Sequence, residues 1–166
     1  MVLHGEHTII QKVDRSSIDS IYNVYKNCED FLSLGPVSTA SKQMILDDFK
    51  ISEGEGGNYC GIFFKERMIG IIDFILSGFE GDPSHAYLSL LMISANFRKK
   101  GIGYDVVKTV ENEIIKNHNI RSILVSVQIN NKQAIAFWEK MGYIIVSGPQ
   151  VMPDTTITLK LQKDIQ

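Results

Sequence analysis

Cysteine is scarce: Cys28 and Cys60 are the only two in 166 residues, and neither stands at metal-like spacing to one of the four histidines. That scarcity argues against a disulfide framework and against a zinc site, and it fits reduced thiols in the cytoplasm. Long apolar runs are missing too. The first ten residues carry His4, Glu6 and His7 where a signal peptide needs unbroken apolar side chains, and no later stretch approaches the ~20 apolar residues of a membrane span, so a soluble protein is expected. Strong charge of either sign is also lacking. The formal net charge of -2 offers no broad footprint for nucleic acid. No linker, composition shift or internal repeat divides the chain, so a single domain over residues 1–166 is expected, with 44% hydrophobic content to build one core. Function must then come from a local site.

What is present is a succession of apolar patterns. Residues 8–13 read as a strand and 16–27 as a helix with Ile18, Ile21, Tyr22 and Tyr25 at helical spacing, Ser16 or Ser17 able to cap it. After the Gly35-Pro36 break a second helix is expected over 38–49, followed by a glycine-rich loop at 53–58. Strands at 59–65 and 68–76 flank Glu66 and Arg67, the spacing of a two-residue hairpin, although neither residue favours the positive φ such turns want. Residues 86–93 are almost continuously apolar, the pattern of a central strand buried on both faces. From Ile102 a 3.6-residue period in Val106, Val107, Val110, Ile114 and Ile115 marks an amphipathic helix to Asn117. Residues 122–129 read as the next strand. Asn130 or Asn131 then caps a short helix that Gly142 ends, and strands at 143–147 and 155–161 enclose a loop at 148–154.

The join between the central strand and the long helix carries the chemistry. Arg98, Lys99 and Lys100 precede Gly101, Ile102 and Gly103 at a helix N-terminus, which already bears about half a positive elementary charge. Cations gathered there repel that charge unless an anion lies among them. The two glycines remove Cβ atoms where a ligand approaches main-chain N–H groups that have no partner inside the helix. A phosphate site follows. The dinucleotide fingerprint would need a small residue at Val106 and the P-loop a Gly-Lys-Ser/Thr string, so neither of those phosphate loops is present.

In this setting the chain resembles the GNAT N-acetyltransferase superfamily, whose acetyl-CoA loop has the form Gln/Arg-x-x-Gly-x-Gly/Ala, matched by Arg98 to Gly103. The family's Asn-x-x-Ala-Ile-x-x-Tyr-Glu-Lys-x-Gly-Phe signature is similar to Asn131, Ala134, Ile135, Trp138, Glu139, Lys140, Gly142 and Tyr143, with tryptophan where the family has tyrosine. The resemblance implies an α/β (α+β) fold: a central mixed, mostly antiparallel sheet of six to seven strands, flanked by about four helices and containing a splayed pair of parallel strands. It implies acetyl-CoA as co-substrate and no metal. The N–H groups of Lys99, Lys100, Gly101, Ile102, Gly103 and Tyr104 would face the pyrophosphate, with Arg98 near the phosphates. Main-chain groups of Leu91, Met92 and Ile93, at the bulged end of the central strand, would serve the pantetheine arm and the thioester oxygen. Asn131 resembles the residue that bonds that arm, and a plain helix cap explains it equally well. Ala134, Phe137, Trp138 and Lys140 would flank the cofactor. Dimerisation is common in the superfamily.

Acyl transfer to an amine needs a deprotonated nucleophile, a stabilised oxyanion and a proton for the departing thiolate. Many relatives protonate the thiolate with a tyrosine at the Trp138 position, and an indole N–H cannot do so. A thiol pKa near the cysteine reference of about 8.5 makes the thiolate a fair leaving group without an acid. For the base there are three candidates: Tyr87 where several relatives carry glutamate, His85 on the same face, and Asp73 within an otherwise apolar strand. The expected activity is acetyl transfer to a primary amine of a small molecule or peptide, and the alternative is a coenzyme A-binding module without turnover. The first two helices and residues 31–39, 77–84 and 148–154 are expected to shape the acceptor site; Phe31, Leu32 and Leu34 form either an apolar acceptor wall or a hydrophobic interhelix contact.

Overall fold

The computed structural model describes residues 1–165. Eight strands form one sheet: β1 (Val2–His4), β2 (Ile9–Lys12), β3 (Asn58–Phe64), β4 (Arg67–Ile75), β5 (His85–Ile93), β6 (Ser122–Gln128), β7 (Ile144–Val151) and β8 (Ile157–Asp164), in the spatial order β1-β2-β3-β4-β5-β6-β8-β7. Neighbours are antiparallel except β5 and β6, which run parallel. The helices are α1 (Ile18–Lys26), a single turn α2 (Glu29–Leu32), α3 (Lys42–Glu55), α4 (Ile102–Ile114) and α5 (Lys132–Lys140). No described helix is long and apolar enough to cross a membrane.

Period-two alternation along β4 separates two cores. Ile72 and Phe74 face α4 and α5, packing with Val106, Val107, Val110, Ile123, Val125 and Trp138. Ile71 faces the other way, onto Ile21, Val24, Tyr25, Ile45, Phe49 and Tyr59 from α1, α3 and β3. Both faces of β4 are therefore dry, and both helical layers take their orientation from it.

The structure departs from the sequence reading at definable places. β1 is an eighth strand; at three residues it is too short for alternation to show. α2 is likewise too short to display a period. Asp14, rather than Ser16 or Ser17, supplies the capping side chain before α1, accepting from the Ser16 N–H at 2.9 Å. α3 runs on through the glycine-rich stretch and stops at Gly56, whose φ of 71° is left-handed. The hairpin turn falls one residue earlier than expected, at Lys65 and Glu66, with φ of 47° and 67°. β7 continues through Gly148 to Val151, past register shifts, so the loop there is shorter than the expected 148–154. The central strand β5 buries Ala86, Leu88 and Met92 but leaves the remaining side chains half-buried, correcting the expectation of burial on both faces.

One polar staple ties the N-terminal segment to the sheet's helical layer. Asp105, in the first turn of α4, accepts from the Glu6 N–H at 2.7 Å, the His7 N–H at 3.1 Å and the Thr8 hydroxyl at 2.7 Å. Burial alone would raise its pKa; the three donors outweigh that and hold it below the usual carboxylate value. A depressed carboxylate adds stability above its unfolded value and loses it as pH falls. Asp105→Asn is expected to cost about 1.5–3 kcal/mol at pH 7 in chemical denaturation. The gap between wild type and variant should close as pH falls below about 4.

Candidate active site

The site begins where two strands part. β5 and β6 are in register from His85 with Ser122 to Leu88 with Val125, and pairing ends there although β5 runs on to Ile93 and β6 to Gln128. At the same level β5 carries an extra residue. Asp73 pairs with Leu90 but Phe74 with Leu88, so Ser89 is bulged out of register, its hydroxyl donating to the Asp73 carbonyl at 3.0 Å. The bulge expected near Met92 and Ile93 thus lies at Ser89, further up the strand. A bulge bends its strand and sharpens the local twist, and here it turns the end of β5 away from β6.

The parting leaves a cleft of about 410 Å³ that passes between the two faces of the sheet. Toward α5 it is lined by Leu91, Val125, Val127, Asn131, Ala134 and Trp138. On the α2 side it is lined by Phe31, Tyr87, Leu90, Ser126, Gln128 and the segment from Met152 to Asp154. Two ligands can therefore meet from opposite sides at the gap between the strands.

At the lower end of β5 the chain turns into α4 through the basic glycine loop. Lys99 and Gly101 have φ of 59° and 79°, the left-handed geometry that turns consecutive N–H groups outward. From Lys99 to Tyr104 the main-chain N–H groups donate to no protein acceptor among the described residues. Nothing stands within 4 Å of where a Gly101 Cβ would be, while a Cβ on Gly103 would press on Phe137 at 3.2 Å. One glycine is set by its backbone angle and the other by helix packing.

Individual residues fall into place unevenly. The Arg98 guanidinium turns away from the loop: it bonds the Ile93 carbonyl at 2.7 Å and pairs with Asp30 on α2, tying the end of β5 to that helix. Lys99, Lys100 and Lys140 are exposed. The Tyr104 side chain lies in a separate groove between β1 and α4, so its N–H is the part that belongs to the loop. Met92 is buried against the α1–α3 core and Ile93 packs toward Gly103, so neither lines the cleft, which from β5 takes residues Tyr87 to Leu91. Asn131 caps α5 by accepting from the Ala134 N–H at 3.1 Å, and it also lines the cleft. Trp138 is buried edge-on between Phe137 and Tyr143.

Of the three base candidates, only Tyr87 reaches the cleft. Its ring stacks on Phe79 at 3.9 Å. Burial pushes its phenol above the ordinary value, and the nearby Ser126 hydroxyl offsets part of that. His85 sits two residues further from the gap, 3.6 Å from Asp82. Asp73 lies beneath α3, accepting from Ser52 at 2.8 Å; burial raises its pKa beyond what that bond lowers. Neither His85 nor Asp73 lines the cleft. Ser126 and Gln128 do, and sequence reasoning missed both. Their signal was polar residues alternating with the buried Val125 and Val127.

The same architecture occurs in solved acetyltransferases. An acetyltransferase from Thermus thermophilus superposes with a TM-score of 0.81 at 16% identity, covering 98% of this chain and 100% of that one. A ribosomal L7/L12 α-N-protein acetyltransferase in complex with coenzyme A gives 0.79 at 13% identity, over 99% of this chain and 98% of that one. By sequence, the chain is 29% identical to the probable N-acetyltransferase san of Drosophila melanogaster over 101 residues, 60% of this chain. It spans about half, 54%, of that curated relative. The family model "Acetyltransferase (GNAT) family" matches residues 18–143, well over half of the sequence, and the chain belongs to that family.

Proposed function

We propose that this protein transfers an acetyl group from acetyl-CoA to a primary amine of a small molecule or peptide, by direct attack in a ternary complex. The observation that carries this reading is that one strand serves two features: a cleft opens where β5 parts from β6, and the turn that follows β5 presents main-chain N–H groups without protein acceptors. The solved neighbour in complex with coenzyme A supports the choice of co-substrate. A cytoplasmic setting goes with it, supported by two buried free thiols.

The donor set fits a pyrophosphate followed by a polar arm. Loop N–H groups from Lys99 to Tyr104 would hold the phosphates, with Lys99 and Lys100 adding charge at the surface. Arg98, engaged with Asp30 and the Ile93 carbonyl, holds the loop's entry in place. Asn131 uses its oxygen as a cap and keeps its amide N–H groups for the arm, so cap and ligand roles coexist. When bound, acetyl-CoA supplies a thioester whose carbonyl is open to a nucleophile. β5 beyond Leu88, released from β6, offers main-chain N–H groups to the charge that develops on that oxygen, an interaction whose loss typically costs about 2.7–4 kcal/mol in the barrier.

Tyr87 is the residue we place at the amine. With its phenol held neutral by burial, it orders a water that takes the proton rather than taking it as phenolate. Trp138, wedged in the core, provides shape to the cleft wall and no acid. The thiolate then leaves unassisted, as its basicity permits.

Amine-dependent thiol release from acetyl-CoA, measured over a panel of amines and peptides, tests the reading directly; binding by calorimetry without any amine-dependent thiol overturns it in favour of a coenzyme A-binding module. Gly101→Ala forces a side chain into a left-handed backbone at about 1–2 kcal/mol. Its Kd for acetyl-CoA should rise at least about tenfold as loop donors lose alignment. Tyr87→Phe should lower kcat by roughly 100-fold while leaving the Kd for acetyl-CoA near wild type in the same calorimeter.

A further inference from the structure

A side chain that orders a water must itself be held still, and Tyr87 borders open space on its cleft side. Side chains with free space beside them hop between rotamers within nanoseconds unless a neighbour prevents it. For Tyr87 that neighbour is Phe79. The two rings lie with centroids 3.9 Å apart and planes 8° from parallel, so one ring face covers the other. Phe79 does not line the cleft, which puts it behind the phenol ring rather than between the phenol and a ligand.

Phe79 belongs to the loop between β4 and β5, and that loop is pinned down on both sides of Tyr87. Its backbone is left-handed at Gly78, Glu80 and Gly81, with φ of 88°, 54° and 80°. A glutamate stays in that region only where its surroundings hold it. The hold is the Lys160 ammonium, which donates to the Glu80 carboxylate at 2.6 Å and also stands 5.7 Å from the centre of the Phe79 ring. Lys160 pairs across β8 and β6 with Ser126, whose hydroxyl lies beside the Tyr87 phenol in the cleft. Further along the loop, Asp82 accepts from the Ser84 N–H at 2.8 Å and its hydroxyl at 2.7 Å, closing a local turn before β5 begins. The strap is therefore fastened to the same patch of sheet that carries Tyr87 and Ser126.

We infer that Phe79 is a positioning residue for acetyl transfer: its ring backs the Tyr87 ring and keeps the phenol oxygen at one point in the cleft, while the Glu80–Lys160 pair keeps Phe79 in place. This rests on the role given to Tyr87 above. Phe79 touches no reacting atom and acts only through the phenol. A misplacement of about 1 Å can cost ~100-fold in rate, so a ring free to swing loses most of what Tyr87 contributes.

A double-mutant cycle separates this role from a merely structural one. Phe79→Ala should lower kcat for amine-dependent thiol release at least about tenfold, while its Kd for acetyl-CoA stays near wild type. Phe79→Tyr, which keeps the flat ring, should restore kcat. In a Tyr87→Phe background, Phe79→Ala should cost nothing further, because the hydroxyl through which it acts is gone. A thermal melt shows whether each variant is folded; if Phe79→Ala is not, Phe79→Leu, which fills volume without a ring face, takes its place in the cycle with the same expectations. An unchanged kcat in the single variant, a loss that persists in Phe79→Tyr, or an equal loss in both backgrounds overturns the inference and leaves amine acetylation standing. If Tyr87→Phe alone leaves kcat unchanged, the role of Tyr87 falls and that of Phe79 with it; absence of amine-dependent thiol in wild type removes the acetyltransferase reading as well.

Discussion

Everything about the site depends on a parallel strand pair that stops after four residues. Parallel pairing is the less stable kind per residue, and here it is abandoned at Leu88 and Val125 while both strands continue. The unpaired continuation would be costly in a dry core, because main-chain polar groups need partners. It persists because β4 and β8 hold the outer edges of the two strands, so each remains a strand with one side open. The opening is built from backbone, and side chains only tune it.

The bulge at Ser89 sets which side chains face which side of the sheet. Up to Leu88 the alternation of β5 puts Tyr87 on the face of α1 and α3; after the extra residue, Leu90 and Met92 occupy that face. Without it, Leu91 and Ile93 would turn from the α4–α5 side to the other. One inserted residue therefore gives both halves of the strand the phase their neighbours require, and the side-chain hydroxyl of Ser89 closes the loop by bonding across to Asp73.

Much of this was legible in the sequence, and the limits have physical causes. The loop from Arg98 to Gly103 and the helix after Asn131 were readable because glycine angles, helix caps and 3.6-residue periods are local properties. Seven of the strands announced themselves by length and patterning. The direction of the Arg98 guanidinium was not readable, since its partner Asp30 is 68 residues away. Nor was the placement of Asp73: a carboxylate in an apolar run marks a polar contact without saying whether it lies in a cleft or under a helix. Both faces of β5 looked equally apolar in sequence. The parting of the strands leaves Leu90 and Leu91 half-buried along the cleft, and no periodicity records a neighbour that departs.

Asp105 occupies an awkward place for the anion site proposed above: a formal negative charge in the first turn of the helix that the glycine loop opens. Its three donors come from the N-terminal segment, so that stretch of chain acts as a dielectric shield, absorbing the field of one carboxylate into its own dipoles. Residues 6–8, on the far side of that helix turn from the cleft lining, would thus bear on how positive the proposed anion site is.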